Sequence, residues 1–241
     1  MLEINKKILF FKIKEIWFAD KPFDVDKFHS VLFRACKRNL DVSGFEKKEF
    51  NTLIIDLNQD LNKIWENMDK SSCRYSVNRA EKQGLIIKIN QNYKDFYQIN
   101  RLFRKKKKLS QSFSWNLELM EKYGTLFVAE FKGEIIAGCL FLEDKDNIRW
   151  LFGASKRLQA DKTKATLIGN ANHLIIWQAI KYAKAKTIKE FDFGGYYLGQ
   201  DKEKERINRF KKSFGGKLAT HYIYEKFYSK LLKILWKTIK K

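Results

Sequence analysis

Two long apolar segments joined by a two-residue turn constrain the fold of this chain more than any other feature. The segments TLFVAEF and EIIAGCLFLE flank Lys132 and Gly133, and a second turn, DKDN, leads into IRWLFGAS. Apolar runs connected by so short a turn pair as antiparallel strands. The sequence therefore predicts a meander of three antiparallel strands.

Helices and strands also alternate before this meander. TLIIDL (52–57) and LIIKI (85–89) are strand signals, and a helix is expected between them from about Leu61 to Gln83. Amphipathic segments at 93–108 and 114–123 predict two further helices.

After the meander, a helix expected over Leu167–Lys184 leads into the strand EFDFGG. A helix containing RINRFKKSFGG then precedes the strand KLATHYIY. This order predicts an α+β fold with a mixed, mostly antiparallel central sheet flanked by helices.

No Gly-, Ser- or Pro-rich linker divides the 241 residues, which include a single proline, Pro22. Alternating apolar residues over 8–18 predict β-structure near the start of the chain. We therefore expect an N-terminal β-containing segment (1–51), a main domain (52–224) and a C-terminal helix (225–241).

The net charge of +21 favours an anionic partner, either nucleic acid or a membrane surface. Excess lysine also commonly forms a solvated face, so both interpretations stay open. Cys36, Cys73 and Cys139 are far apart and predict neither a disulfide framework nor a zinc site, as expected in a reducing cytoplasm. The uninterrupted apolar run Ile8–Phe11 is shorter than a signal-peptide core, so we expect a cytoplasmic protein.

Six segments carry a family resemblance through their order: CRYSVNRAEKQG, LFVAEFKGEIIAGCLF, GAS, NHLIIWQAIKYA, FDFGG and RFKKSFGG. Between about Thr52 and Thr220 they resemble the GNAT-like domain of the Fem family of peptidoglycan-bridge aminoacyltransferases. The resemblance implies an acyltransferase that moves an amino acid from aminoacyl-tRNA onto an amine of a peptidoglycan or other cell-envelope glycan precursor. It implies tRNA as a partner and no tightly bound cofactor or metal. Fem enzymes usually contain two GNAT-like halves, and residues 1–51 leave room for only a reduced first half.

One lysine in RINRFKKSFGG stands out. In a helix, Lys211 would share a stripe with Ile207, Phe210 and Phe214, where it loses hydration unless it snorkels or meets an anion. In the Fem family the lysine after the phenylalanine of this motif lines the active site, which implies a catalytic Lys211 with Phe210 beside the substrate. A fixed ammonium there could stabilise an oxyanion, worth about 3 to 4 kcal/mol. Lys212 points away and is expected to meet solvent or phosphate.

FDFGG supplies the second catalytic candidate, Asp192, which could orient the attacking amine or hold a backbone turn. Gly194 and Gly195 would let a backbone or ligand approach the strand end closely. The resemblance favours a phosphate-facing role for Arg74 or Arg79, which lie five residues apart and so do not share a helical face.

Two other functions compete with aminoacyl transfer. The first is an acyl-CoA-dependent N-acetyltransferase acting on an amino sugar for surface polysaccharide. SKRLQADKTKATLIGN lacks the glycine pair with which such enzymes cradle the CoA pyrophosphate, which weakens this reading. The second is a non-catalytic tRNA- or RNA-binding protein. The net positive charge favours this function, but the sequence contains no nucleic-acid-binding motif that supports it.

The C-terminal segment EKFYSKLLKILWKTIKK (225–241) predicts a basic amphipathic helix. Such a helix packs onto its own sheet or lies in an anionic membrane surface, here the inner face of the cell membrane, where a lipid-linked acceptor would reside. The sequence leaves the oligomeric state open.

Overall fold

The computed structural model describes residues 1–109 and 115–239, with side chains up to residue 234. The strands are Leu2–Ile8 (β1), Phe11–Trp17 (β2), Ser30–Cys36 (β3), Glu46–Asp56 (β4), Ile86–Ile89 (β5), Thr125–Phe131 (β6), Glu134–Glu143 (β7), Asn147–Ser155 (β8), Glu190–Tyr196 (β9) and Lys217–Phe227 (β10). The α-helices are Leu61–Asn67 (α1), Tyr75–Lys82 (α2), Tyr93–Lys106 (α3), Leu117–Tyr123 (α4), Lys162–Ala185 (α5), Lys202–Lys212 (α6) and Lys230–Ile239 (α7). A π-helical turn at Lys70–Arg74 and a 3-10 turn at Lys156–Gln159 complete these elements.

The chain forms two compact units, Met1–Thr52 with Leu218–Lys241, and Leu53–Lys217. In the first unit, β1 and β2 form an antiparallel hairpin, β2 pairs in parallel with β3, and β10 pairs antiparallel with β3. Ile16, Phe33 and Tyr224 lie in its core.

The first unit changes the expected domain boundaries. Residues 218–224, which we assigned to the main domain, belong to the first unit because β10 pairs with β3. Glu225 to Phe227 continue this strand, so the C-terminal helix begins at Lys230 and not at Glu225.

The second unit has the strand order β4-β9-β8-β7-β6-β5. The predicted meander is confirmed: β6, β7 and β8 pair antiparallel, and Lys132 and Gly133 form the turn with φ of +51° and +79°. β8 and β9 pair in parallel, so the sheet is mixed and mostly antiparallel, as predicted. The α+β fold class is therefore confirmed.

Helices cover both faces of this sheet, and β6 shows how the sequence specifies both. Phe127 and Ala129 lie in the same core as α5, whereas Leu126 and Val128 pack in the cluster that includes Phe96 of α3. Successive residues of a strand point to opposite faces of the sheet. An uninterrupted apolar run therefore predicts a strand that is buried on both faces.

The predicted helix from Leu61 to Gln83 is wrong as a single element. The backbone leaves the helical conformation at Met68 and Asp69, and the Asp69 carboxylate caps the π-helical turn by accepting from the Ser72 backbone N at 2.7 Å. An aspartate that bonds nearby backbone N–H groups competes with continuation of a helix.

Caps also set two other helix starts. The helix predicted from Leu167 begins earlier, at Lys162, because Asp161 accepts from the Lys164 backbone N at 2.9 Å. The helix predicted from Ser114 begins at Leu117, after the cap Asn116, and Ser114 itself lies outside the described residues.

Candidate active site

Helix α6 holds the candidate lysine. It begins after Asp201, whose carboxylate accepts from the backbone N of Glu203 at 2.9 Å, and it ends at Lys212. The predicted apolar stripe is therefore only partly correct: Phe214 lies beyond the helix, and Ile207 is 51% exposed. Lys211 is nevertheless 6% exposed.

The Lys211 ammonium lies in a defined environment. Its Nζ donates a hydrogen bond to the carbonyl oxygen of Gly195 at 2.5 Å and lies 5.5 Å from the centroid of the Trp150 ring. Burial lowers the pKa of Lys211 to about 8, and the positive charge of Arg149 acts in the same direction, while Asp192 opposes it. An ammonium has three N–H donors. Within the described part of the chain, the Gly195 oxygen is its one hydrogen-bond acceptor.

A buried ion pair underlies this environment. Arg149 of β8 and Asp192 of β9 are register partners in the parallel pair, and their side chains bond each other. The other carboxylate oxygen of Asp192 accepts from the backbone N of Gly194 at 2.7 Å. Asp192 thus makes the turn contact that the sequence allowed. Sequence reasoning missed Arg149, whose one signal was a charged residue within an apolar strand.

The two glycines after Asp192 have different surroundings. Gly194 has φ of +71°, and a Cβ there would lie 2.9 Å from the backbone oxygen of Trp150. Gly195 is exposed, and a Cβ there would meet nothing within 4 Å. Glycine is therefore required at Gly194, whereas Gly195 contributes its carbonyl oxygen to Lys211.

An aromatic cluster lies beside Lys211. The half-buried ring of Phe210 is 6.0 Å from that of Trp150, 4.7 Å from that of His173 and 5.3 Å from that of Phe214. His173 Nδ1 is 3.0 Å from the Gly169 oxygen, and burial lowers the pKa of His173, which favours its neutral form. Trp150 and His173 were not predicted, because no motif distinguishes them from ordinary core residues.

Asn208 connects α6 to the segment after β9. It is buried, its Nδ2 donates to the Tyr197 backbone oxygen, and its Oδ1 accepts from the Tyr197 backbone N at 3.2 Å. This pair of bonds fixes the chain near Gly195 relative to Lys211. Sequence reasoning also missed Asn208.

The structure separates the two arginine candidates. Arg74 ends the π-helical turn, and its buried Nε has no hydrogen-bond partner within the described residues. The turn adjoins the end of α6, since the Asp69 backbone N donates to the Ser213 oxygen at 2.8 Å. Arg79 is exposed and bonds the Tyr75 hydroxyl at 2.6 Å.

Lys212, the remaining predicted binding residue, lies exposed at the end of α6. In the described ranges, no cluster of His, Cys, Asp and Glu side chains could hold a metal ion. None of the helices within 1–109 and 115–239 is long and apolar enough to cross a bilayer.

The fold and the motif order define the class: the chain has a Fem-like GNAT fold. The crystal structure of FemX matches it with a TM-score of 0.66 at 14% identity, over 97% of this chain and 85% of FemX. L-PGS from Bacillus licheniformis matches with a TM-score of 0.57 at 15% identity, over 97% of this chain and 83% of that one. The C-terminal domain of a candidate lysylphosphatidylglycerol synthetase from Agrobacterium fabrum matches with a TM-score of 0.57 at 12% identity, over 87% of this chain and 71% of that one.

No protein-family model and no curated protein matches the sequence. At such low identities these structures establish the fold. The expectation of a Fem-like GNAT fold is thereby confirmed.

Proposed function

We propose that the chain is an N-acyltransferase that moves an aminoacyl group from aminoacyl-tRNA onto an amine of a cell-envelope glycan or peptidoglycan precursor. One observation carries the proposal: within a Fem-like GNAT fold, Lys211 places a buried ammonium beside Trp150 with one protein acceptor, the Gly195 oxygen. Two of its three N–H donors are thus available to a substrate oxygen.

The chemistry of acyl transfer suits such a group. The acceptor nitrogen attacks the ester carbonyl carbon of aminoacyl-tRNA, a C–N bond forms, and negative charge develops on the carbonyl oxygen. The Lys211 ammonium stabilises that oxyanion, and burial strengthens the interaction because water screens it less. The C–O bond to the tRNA ribose then breaks, a proton from the acceptor nitrogen passes to the ribose oxygen, and an amide and free tRNA result.

Two features support an aminoacyl-tRNA donor. Arg74 has a buried, unpartnered Nε next to the end of α6, where it could bind a phosphate. One of the similar structures is named as a lysylphosphatidylglycerol synthetase, a name that denotes an aminoacyl lipid.

The N-terminus of α5, where an acyl-CoA-dependent enzyme would bind the CoA pyrophosphate, gives the acyl-CoA alternative less support. The Asp161 carboxylate caps this helix end, and Lys164 and Lys156 bond Glu134 at 2.9 and 2.8 Å. A helix N-terminus attracts a pyrophosphate through free N–H groups and positive charge. Here a carboxylate already bonds one of these N–H groups, and another carboxylate engages both lysines.

A transfer assay tests the proposal. The full chain is incubated with tRNA carrying a radiolabelled amino acid and with amine-bearing cell-envelope precursors, and alkali-stable label in the acceptor is measured. We expect an amide product that forms with charged tRNA and is lost in Lys211→Ala. Parallel transfer reactions contain acetyl-CoA in place of charged tRNA. Thermal-shift measurements with acetyl-CoA, and binding measurements with uncharged tRNA at several salt concentrations, accompany them.

Two results would overturn the proposal. Transfer from acetyl-CoA without tRNA, with stabilisation by micromolar acetyl-CoA, would establish the CoA-dependent alternative. Salt-steep tRNA binding that ignores aminoacylation, without transfer to any acceptor, would establish the non-catalytic RNA-binding alternative.

A further inference from the structure

The turn between β1 and β2 exposes two large apolar side chains. Leu9 is 76% exposed and Phe10 is 61% exposed. Leu9 also has φ of +55°, a backbone conformation that asparagine or glycine adopts more readily than leucine. Neither the exposure nor the backbone conformation benefits folding of the first unit, so both features call for another explanation.

The start of α7 is tied to the same end of this hairpin through His29. The His29 backbone N donates to the Lys12 oxygen at 2.8 Å, and His29 Nδ1 accepts from the Lys12 N at 2.9 Å. The His29 oxygen accepts from the backbone N of Tyr228 at 2.9 Å and of Ser229 at 3.1 Å. These bonds fix the residues just before α7 to the beginning of β2.

Side-chain packing completes the connection. Leu232 of α7 is 2% exposed and packs in a cluster with Phe11 and Ile13 of β2. The ring of Phe10 lies 4.1 Å from that of Phe11. The turn and the first part of α7 are therefore neighbours around one buried contact.

Four exposed apolar side chains lie on these two adjoining elements, and we call them the apolar tip: Leu9 and Phe10 in the turn, and Leu231 and Ile234 on α7. Leu231 is 54% exposed and Ile234 is 64% exposed. Single exposed apolar residues are ordinary, but a group on two adjoining elements indicates an interaction surface.

Lysines border the apolar tip. Lys7 and Lys12 face each other across the hairpin, one residue pair behind the pair that closes the turn, and like charges in that position repel. Lys230 is exposed at the start of α7. In the part of the chain that the structure describes, Lys7, Lys12 and Lys230 form no ion pair.

The acid that contacts α7 is already occupied, because Glu46 pairs with Lys233 at 2.8 Å. The border of the apolar tip is thus positive, and an anionic partner would relieve the repulsion between Lys7 and Lys12.

We propose that the apolar tip docks on an anionic lipid bilayer. Leu9, Phe10 and the exposed side chains of α7 enter the headgroup region, and the bordering lysines contact lipid phosphates. A second copy of the chain is the less suitable occupant, because two positive borders would then meet. The proposal concerns location, and its outcome is independent of acyl transfer.

Vesicle co-sedimentation of the full chain tests this docking. Vesicles of phosphatidylcholine alone are compared with vesicles that are half phosphatidylglycerol, for the native chain, the double variant Leu9→Ser/Phe10→Ser and the control Leu218→Ser, which alters another exposed leucine of the first unit (54% exposed). We expect binding that requires phosphatidylglycerol and weakens at high salt. The double variant should partition about tenfold or more weakly, and the control should match the native chain.

A labelled variant tests the docking in a second way, which does not depend on whether the double variant folds. Leu9→Cys is coupled to an environment-sensitive fluorophore, since Cys36, Cys73 and Cys139 are buried and protected. Blue-shifted emission on anionic vesicles supports insertion. Unchanged emission overturns the proposal, as does equal binding of the native chain and the double variant, or a dimer that the double variant converts to monomer without any loss of vesicle binding.

Discussion

The Nζ of Lys211 on α6 donates a 2.5 Å hydrogen bond to the carbonyl oxygen of Gly195 at the end of β9. This bond fixes the ammonium next to Trp150, while Asn208 anchors the same segment at Tyr197. Because the lysine is buried, its position and its protonation state are both set by the surrounding protein.

Replacement of Lys211 tests its role most directly. We expect Lys211→Ala to lower kcat about 10²- to 10³-fold, because one oxyanion donor is lost, with little change in melting temperature. Lys212→Ala, which alters an exposed neighbour, should be mild. Steady-state kinetics and thermal melts compare the two, and full turnover of Lys211→Ala with a lowered melting temperature would make Lys211 a packing residue.

The pKa of Lys211, lowered to about 8 by burial and by Arg149, predicts opposite pH dependences for activity and stability. Activity should fall as pH rises through about 8, because the ammonium that binds the oxyanion loses its proton. Between about 8 and the ordinary value of 10.5, the unfolded lysine keeps a proton that the folded one has lost, so the contribution of Lys211 to the free energy of unfolding rises with pH.

Kinetics and urea unfolding across this pH range, each compared with Lys211→Met, measure the two dependences. Activity that instead rises above pH 8 would assign Lys211 as a general base. A pH dependence of unfolding that is the same in Lys211→Met would show that Lys211 does not titrate in this range.

The glycine pair offers a matched comparison. Gly194→Ala should destabilise the protein by about 1 to 3 kcal/mol, because φ of +71° and a Cβ 2.9 Å from the Trp150 oxygen both strain the backbone. It should also lower activity by displacing the Gly195 carbonyl. Gly195→Ala has open space and should fold normally. Urea unfolding distinguishes the variants, and equal stability would contradict the geometry at Gly194.

The ion pair between Arg149 and Asp192 should show strong coupling. Arg149→Met leaves a buried carboxylate without its partner and should cost about 3 to 5 kcal/mol. Asp192→Asn in the same chain removes that charge while keeping an oxygen for the Gly194 N–H, so the double variant should recover much of the loss. A double-mutant cycle by urea unfolding measures the coupling, and simple additivity would argue against the pair.

The two arginines should differ in binding to aminoacyl-tRNA. Arg74→Met should weaken binding and reduce the slope of log affinity against log salt by about one, as expected for a lost phosphate contact. Arg79→Met should have a small effect, because Arg79 already bonds Tyr75 at the surface. Filter binding at several salt concentrations gives the slopes, and identical slopes for the two variants would remove Arg74 from the tRNA site.

Local interactions determined what could be predicted from the sequence. The turn at Lys132 and Gly133 and the apolar strands beside it are specified within a few residues, so the meander was predicted correctly. The helix predicted over 61–83 is wrong for an equally local reason, because the Asp69 carboxylate accepts from the Ser72 backbone N and caps a separate turn.

The site depended on contacts between distant residues. The sequence, through the family resemblance, singled out Phe210, Lys211 and the FDFGG strand, but Arg149 acquired its role only when β8 and β9 paired in parallel and placed it beside Asp192, 43 residues away. Trp150, the next residue of β8, lies beside Lys211 only in the folded chain, where burial lowers the pKa of that lysine. Turns and caps are local free-energy minima that a short sequence encodes, whereas burial and ion pairing depend on which strands become neighbours, and only the folded chain decides that.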